Sequence, residues 1–330
     1  MMNFRRDVVL LITHSGDYFT VDRVFAALSK RSCRPFRLDT DRFPAAIKIR
    51  AHFGNNGCEN WLEYGDISLR AEEVRSVWLR RIWQPKFGEE LTPEFQVACA
   101  RESLATWDGF WDGLRSARWV DDVERIRAAE NKLRQLRVAR EVGLTIPQTL
   151  VTNDPAEVRT FFYRVGGKMV AKLLKPLSYS MKGSPFFLYT SAVKEEDLAD
   201  LETLRHCPMV FQEEIPKRRE LRAVFVDGRI FVGALDASKY AESTVDWRCG
   251  TPKNCVWENH RLPPTIAEIL DHFMAQFCLK FGAFDFIETP SGELVFLEVN
   301  PSGEWGMLER DLKLPISDAI ADALLANDPG

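Results

Sequence analysis

The sequence has no apolar stretch approaching the ~20 residues that would cross a bilayer, so no membrane association is expected. It has no GxGxxG fingerprint and no Walker loop. Gly166-Gly167-Lys168 lacks the upstream glycine of a phosphate-binding loop. It has no CxxC pair: Cys33, Cys58, Cys99, Cys207, Cys249, Cys255 and Cys278 are scattered and odd in number. Such cysteines read as reduced thiols of a cytoplasmic protein. Cys249 and Cys255 flank a turn, but only His260 lies near as a further ligand, so zinc is not expected there. Surplus positive charge is also missing. The formal net charge is −4, which speaks against nucleic-acid binding. The basic start precedes only the short run Val8 to Ile12, too short for a secretory signal. No Ser/His/Asp or Cys/His arrangement stands out, so no enzyme nucleophile is expected.

What is present fits a multi-domain α/β protein. The chain has 330 residues, of which 45% are hydrophobic, enough for two or three cores. Val8 to Thr13 reads as a buried strand, and Val21, Val24, Phe25 and Leu28 recur at helical spacing. An extended pattern resumes at Arg34, giving the strand–helix–strand opening of a parallel sheet. A hairpin over Lys48–Tyr64, a strand over Val74–Arg80 and a helix over Pro93–Leu114 complete a first domain, residues 1–115. Without a phosphate loop, this Rossmann-like unit reads as a scaffold or substrate-binding face.

A second segment, 116–205, opens with one basic helix over Val123–Val142, closed by Gly143. The strand Gln148–Val151 follows, then an Asx-Pro helix start at Asn153-Asp154-Pro155. After that come the strand Met169–Leu174, a Ser/Gly-rich loop at Ser178–Ser184 and the strand Phe186–Thr190. The third segment, 206–330, reads as α+β. Its strands are Met209–Glu213, Glu220–Val226 and Arg229–Leu235, the last two joined at Asp227-Gly228. A helix over Pro264–Phe281, the strands Gly282–Glu288 and Glu293–Val299, and a helix over Ser317–Leu325 complete it.

The chemistry-bearing residues gather in the third segment. Asp285 lies in FGAFDFIE and Glu298 with Asn300 in LVFLEVNPSG, on two strands joined by a short turn. A carboxylate among Phe, Leu and Val must be paired, hydrogen-bonded or metal-bound. Glu298 and Asn300 are two apart and face one side. Three oxygen donors on adjacent strands suit magnesium; a structural ion pair to an arginine is the competing reading. Lys132, Lys172, Arg222 and Arg248 are isolated cations that could converge on phosphates. Each alone reads first as a snorkelling surface side chain. The strand end Val210–Lys217 could present backbone to an adenine edge. Trp78, Trp83, Trp107, Trp111 and Trp119 read as core packing before peptide recognition. The helix face Arg125, Arg127, Lys132, Arg134 and Arg137 is solvated, or draws an acidic peptide.

In order, Asn131-Lys132, Lys172, FQEEI, ELR, DWR, FDF and LEVNPSGEWG resemble the ATP-grasp superfamily in its RimK-like branch, and within it the ribosomal-peptide maturases (graspetide synthetases) of microviridin type. LITHSGDYFTVDRVFAAL, FRLDTDRFP and SVWLRR extend that resemblance through the first domain. The resemblance implies an ATP-grasp fold behind a Rossmann-like pre-ATP-grasp domain. It implies ATP contacts from Lys132, Lys172, Gln212, Glu213, Glu214, Ile215 and Glu220. It also implies phosphate-side roles for Arg222, Arg248 and Lys172, and magnesium, in two ions, at Asp285, Glu298 and Asn300. The Ser178–Ser184 loop would cover the phosphates. The partner would be a ribosomal precursor peptide with a leader and an acidic, Thr-rich core, and the enzyme could be a homodimer. Its Asp or Glu side chains would become acyl phosphates and then esters or amides. One departure is Ser238-Lys239, where the family carries Ser-Gln. Thr40 and Asp41 of DTDRFP fall to fold or interdomain packing. Two other readings compete: an amino-acid ligase acting on a protein tail or small molecule, and a non-catalytic ATP-binding module that recognises a partner.

Overall fold

The computed structural model describes residues 6–55, 57–89, 91–174, 190–239 and 256–326. Its first unit is built on β1 (Val8–Thr13), α1 (Thr20–Ser29), β2 (Arg34–Asp39), β3 (Ile47–Gly54), β4 (Gly57–Tyr64), β5 (Ile67–Arg70), β6 (Val74–Leu79), α2 (Pro93–Gly113) and β7 (Arg118–Val120). The strands β2-β1-β6-β7 form one parallel sheet. All of β1 is buried, as a central parallel strand covered on both faces requires. Strand alternation sorts its side chains. Val9 and Leu11 pack on α1, while Val8, Leu10 and Ile12 pack on Trp107, Phe110 and Trp111 of α2. A three-stranded antiparallel sheet, β3-β4-β5, closes that second face with Ile47, Leu62 and Leu69.

Next come α3 (Val123–Ala129), α4 (Lys132–Glu141), β8 (Thr149–Thr152), α5 (Pro155–Arg164), β9 (Met169–Lys172), β10 (Ser191–Val193) and β11 (Met209–Glu213). The expected single helix over Val123–Val142 is two helices. Asn131 takes an extended conformation and its side chain caps α4 by accepting from the Arg134 N–H at 3.0 Å. The strands β10-β9-β11-β8 make an antiparallel sheet with a small core of its own, Val158, Phe161, Phe162, Met169, Leu198, Leu204 and Phe211. The expected loop Ser178–Ser184 and all but Thr190 of the expected strand Phe186–Thr190 lie outside the described residues.

The last unit comprises β12 (Arg219–Val226), β13 (Arg229–Asp236), β14 (Glu258–His260), α6 (Pro264–Phe277), β15 (Phe281–Glu288), β16 (Leu294–Asn300), α7 (Gly306–Leu312) and α8 (Ile316–Leu325). The sheet order is β14-β13-β12-β15-β16, all antiparallel. The helix expected to reach Phe281 stops at Phe277. Cys278 turns left-handed (φ 53°), and the Lys280 and Phe281 N–H groups donate to buried Asp121 at 2.7 and 2.8 Å. One face of this sheet packs Phe284, Phe286 and Phe296 against Phe273 of α6 and Val138 of α4. The other face shares a core with the first unit: Val224, Val226, Trp305 and α8 pack with Val9, Leu11 and α1. No described helix is long and apolar enough to cross a membrane.

Candidate active site

Three neighbouring strands set the acidic cluster. Arg222 of β12 lies opposite Asp285 of β15, and Asp285 lies opposite Glu298 of β16, beside a β-bulge. Asn300, two residues on, donates to Glu298 Oε1 at 3.1 Å and to Asp285 Oδ2 at 3.3 Å. Arg222 Nε stands 3.1 Å from Asp285 Oδ1, an ion pair without hydrogen-bond alignment. Its Nη1 is buried with no hydrogen-bond partner.

The capped start of α4 points Lys132 into this cluster. Its ammonium lies 2.8 Å from Glu298 Oε2, and donates to Asn300 Oδ1 at 3.1 Å and to the Val299 carbonyl at 3.2 Å. Burial pushes the Glu298 carboxyl up. The charges of Lys132 and Lys172, with hydrogen bonds from Lys132 and Asn300, outweigh it and hold the carboxyl at about 2. Glu298 is therefore ionised throughout the neutral range.

A cleft of about 340 Å³, open to solvent, runs from this cluster between the antiparallel sheet of the middle unit and α4. Lys132, Lys172, Gln212 and Glu298 supply its polar wall, and Leu133, Leu136, Val151, Val210 and Leu297 an apolar one. A flat aromatic group with a charged tail fits that division. Buried Gln212 donates to Thr149 Oγ1 at 2.9 Å. Beyond it, Glu213 is engaged by Gln148, which donates from its backbone N–H at 3.0 Å and its side chain at 2.9 Å. The Glu214 N–H is bonded to the Lys168 carbonyl, while its side chain is exposed. Ile215 is half-buried. Glu220 accepts from Lys217 at 2.6 Å. Thus Lys132, Lys172, Arg222, Asp285, Glu298, Asn300 and Gln212 gather around one cleft and its end. Glu213, Glu214 and Ile215 lie along the strand end leaving it, and Glu220 lies near the start of β12. Arg248, and the pair Cys249 and Cys255, lie outside the described residues.

Sequence reasoning missed Gln135. It is fully buried on α4, donates to the Ala129 carbonyl at 2.5 Å and the Val299 carbonyl at 2.8 Å, and accepts from the Val299 N–H at 3.0 Å. It ties the helix carrying Lys132 to the strand carrying Glu298. The only signal in the sequence was an amide on a helix face whose other buried residues are Val138 and Ala139.

The donor set fits magnesium: every candidate ligand atom is a carboxylate or amide oxygen, and those oxygens already draw the Lys132 ammonium among them. The buried, unpartnered Arg222 Nη1 beside them fits an anionic ligand. Among the described residues, no group of three His, Cys, Asp or Glu gathers as a metal site. The hard-oxygen set with its single amide therefore carries the fit.

Residues 8–127 match the family model of the MvdD pre-ATP-grasp domain. No curated protein matches the chain. Among solved structures, macrocyclase MdnB from Microcystis aeruginosa MRC is 55% identical, with 97% of this chain and 100% of that one covered and a TM-score of 0.84. Macrocyclase MdnC from the same strain, solved bound with precursor peptide MdnA, is 34% identical, with 96% and 99% covered and a TM-score of 0.87. A Chryseobacterium gregarium RiPP-associated ATP-grasp ligase, in complex with ADP and a leader and core peptide, is 30% identical, with 96% of each chain covered and a TM-score of 0.89. With identity this high over nearly the full length of both chains, the protein belongs to the RiPP-associated ATP-grasp macrocyclases.

Proposed function

We propose that the chain uses ATP to crosslink side chains of a ribosomal precursor peptide. The supporting observation is the joining of Asp285, Glu298, Asn300, Arg222 and Lys132 at one end of a cleft whose walls suit a nucleotide. Gln212 and the strand end through Ile215 hold the adenine side, with Glu213, Glu214 and Glu220 near the ribose. Lys132 and Lys172 hold the phosphates, and Arg222, with Arg248, neutralises the transferring phosphoryl group. Asp285, Glu298 and Asn300 would hold magnesium, two ions in our reading. Magnesium held by these residues would offset the charge of the phosphates.

An Asp or Glu oxygen of the peptide attacks the γ-phosphorus, and ADP leaves. A Thr or Ser hydroxyl, or a Lys amine, then attacks the acyl carbon. Its proton is released, phosphate departs, and an ester or amide closes the ring. The protein needs no nucleophile of its own; it supplies position and charge. Three functional units, 1–115, 116–205 and 206–330, would serve peptide binding, nucleotide cover and the metal site. A cytoplasmic setting suits the reduced thiols.

Intact-mass analysis of the precursor peptide tests the reading. With enzyme, ATP and magnesium, the peptide should lose the mass of one water per ring. A gain of an amino-acid residue would instead indicate an amino-acid ligase. An unchanged peptide would overturn the assignment.

A further inference from the structure

Asn300 is the last residue of β16, and the chain leaves the sheet directly after it. Of the three proposed magnesium ligands, it alone sits at a strand end. A tight turn follows, in which the Gly303 N–H donates to the Asn300 carbonyl at 3.0 Å. A side chain at Gly303 would run into the Cβ atoms of Ala283 and Asn300, so the turn lies directly against them. The position of the Asn300 amide therefore depends on what holds this turn.

The grip comes from the first unit. Arg80 follows β6, and its backbone N–H donates to the Ile12 carbonyl of β1 at 2.9 Å. Its side chain is only 2% exposed. Nη1 donates to the Ser302 carbonyl inside the turn, and Nη2 donates to Glu304 Oε2 at 2.7 Å just beyond it. Nε faces Asp17 Oδ2 at 3.8 Å, an ion pair without a hydrogen bond. Asp17 itself accepts from Thr13 of β1 at 2.7 Å. The other Glu304 oxygen accepts from Thr20 of α1, and from the Trp305 and Gly306 N–H groups at 3.0 and 2.8 Å. The planar fork of arginine spans a carbonyl and a carboxylate at once, which a lysine ammonium does not reproduce. A buried ion pair adds little stability over apolar packing, so fixing geometry is the better account of this cluster.

We propose that Arg80 is a positioning residue for magnesium. By holding the Ser302 carbonyl and Glu304, it sets the path of the turn, and with it the direction of the Asn300 amide between Asp285, Glu298 and Lys132. Arg80 does not line the nucleotide cleft, so its effect reaches the nucleotide only through the metal. The inference rests on the reading that Asp285, Glu298 and Asn300 hold magnesium. It adds that the first unit supplies part of that site's rigidity.

The test is calorimetric titration of ADP into the full-length protein, once in excess magnesium and once in EDTA. The ratio of the two affinities measures what magnesium contributes. In Arg80→Gln that ratio should fall about tenfold, while the affinity in EDTA stays at the wild-type value. Arg80→Gln leaves Asp17 and Glu304 without their ion-pair partner. Its melting temperature is therefore measured, and Glu304→Gln is titrated beside it. That variant keeps an oxygen for Thr20, Trp305 and Gly306 but sets an amide N–H against Arg80 Nη2, so its ratio should fall in the same direction. If Arg80→Gln does not fold, Glu304→Gln decides. A wild-type ratio in the folded variants overturns the proposal, even where ring formation slows. A loss of both affinities by one factor is a general structural effect and overturns it equally. If magnesium does not strengthen ADP binding to the wild type, the metal assignment fails and this inference with it. If the wild type responds and the variants respond as strongly, only the Arg80 assignment fails.

Discussion

Glu298 keeps its charge because two lysines outweigh the cost of its burial. Glu298→Gln keeps the shape and removes that charge, so ATP-dependent loss of water from the peptide should fall by roughly 10²–10³-fold or more. The melting temperature should stay near wild type, and a wild-type rate would remove Glu298 from the reaction. Lys172→Ala should weaken ADP binding about tenfold, read by calorimetric titration. Asp41 offers a pH test outside the reaction region. Burial raises its carboxyl, but hydrogen bonds from Lys86 and Ser15 prevail and hold it at about 2, against an ordinary 3.8. Its contribution to stability is therefore complete above pH 3.8 and is lost as the pH falls toward about 2. The melting-temperature gap between wild type and Asp41→Asn should be widest at neutral pH and close across that window.

Among the elements, α4 and β16 act as one device because Gln135 bonds both backbone groups of Val299. Gln135→Leu would leave the Val299 N–H buried without a partner and its carbonyl with Lys132 alone, and should cost about 1–3 kcal/mol, measured by denaturant unfolding. This coupling also marks the limit of what the sequence reveals. Asp285, Glu298 and Asn300 were legible, because carboxylates in apolar strands with period-two spacing need a shared purpose. Lys132 was legible from the residues only as one of several isolated cations, and family likeness singled it out, since its helix carries arginines that turn outward. Gln135 was not legible at all, because its role exists only once β16 lies beside α4. The break at Asn131 was hidden for a related reason: apolar periodicity runs through it, and a capping asparagine looks like any polar helix residue. The strands β5, β7, β10 and β14, of three or four residues each, were too short to show a period.

Across the whole molecule, the first unit and the last sheet share a core through α1 and α8, reinforced by Arg31 with Asp318 and Asp322 and by Arg80 with Glu304. The middle sheet has a smaller core apart from it. Amide hydrogen exchange should therefore show β1, β6, β12 and β15 opening together at the highest free energy, with β8, β9 and β11 opening earlier. Equal protection across all three sheets would argue against this division.

The pairing of α1 with α8 also governs the timing of biosynthesis. Residue 20 emerges from the ribosome long before residue 316, and Val21, Val24 and Leu28 must wait for Ile316, Ile320 and Leu324 to cover them. At translation speeds of about 5–20 residues per second that delay is on the order of 15–60 s. During it, the nascent first unit carries an uncovered apolar stripe, a natural target for chaperones on the ribosome.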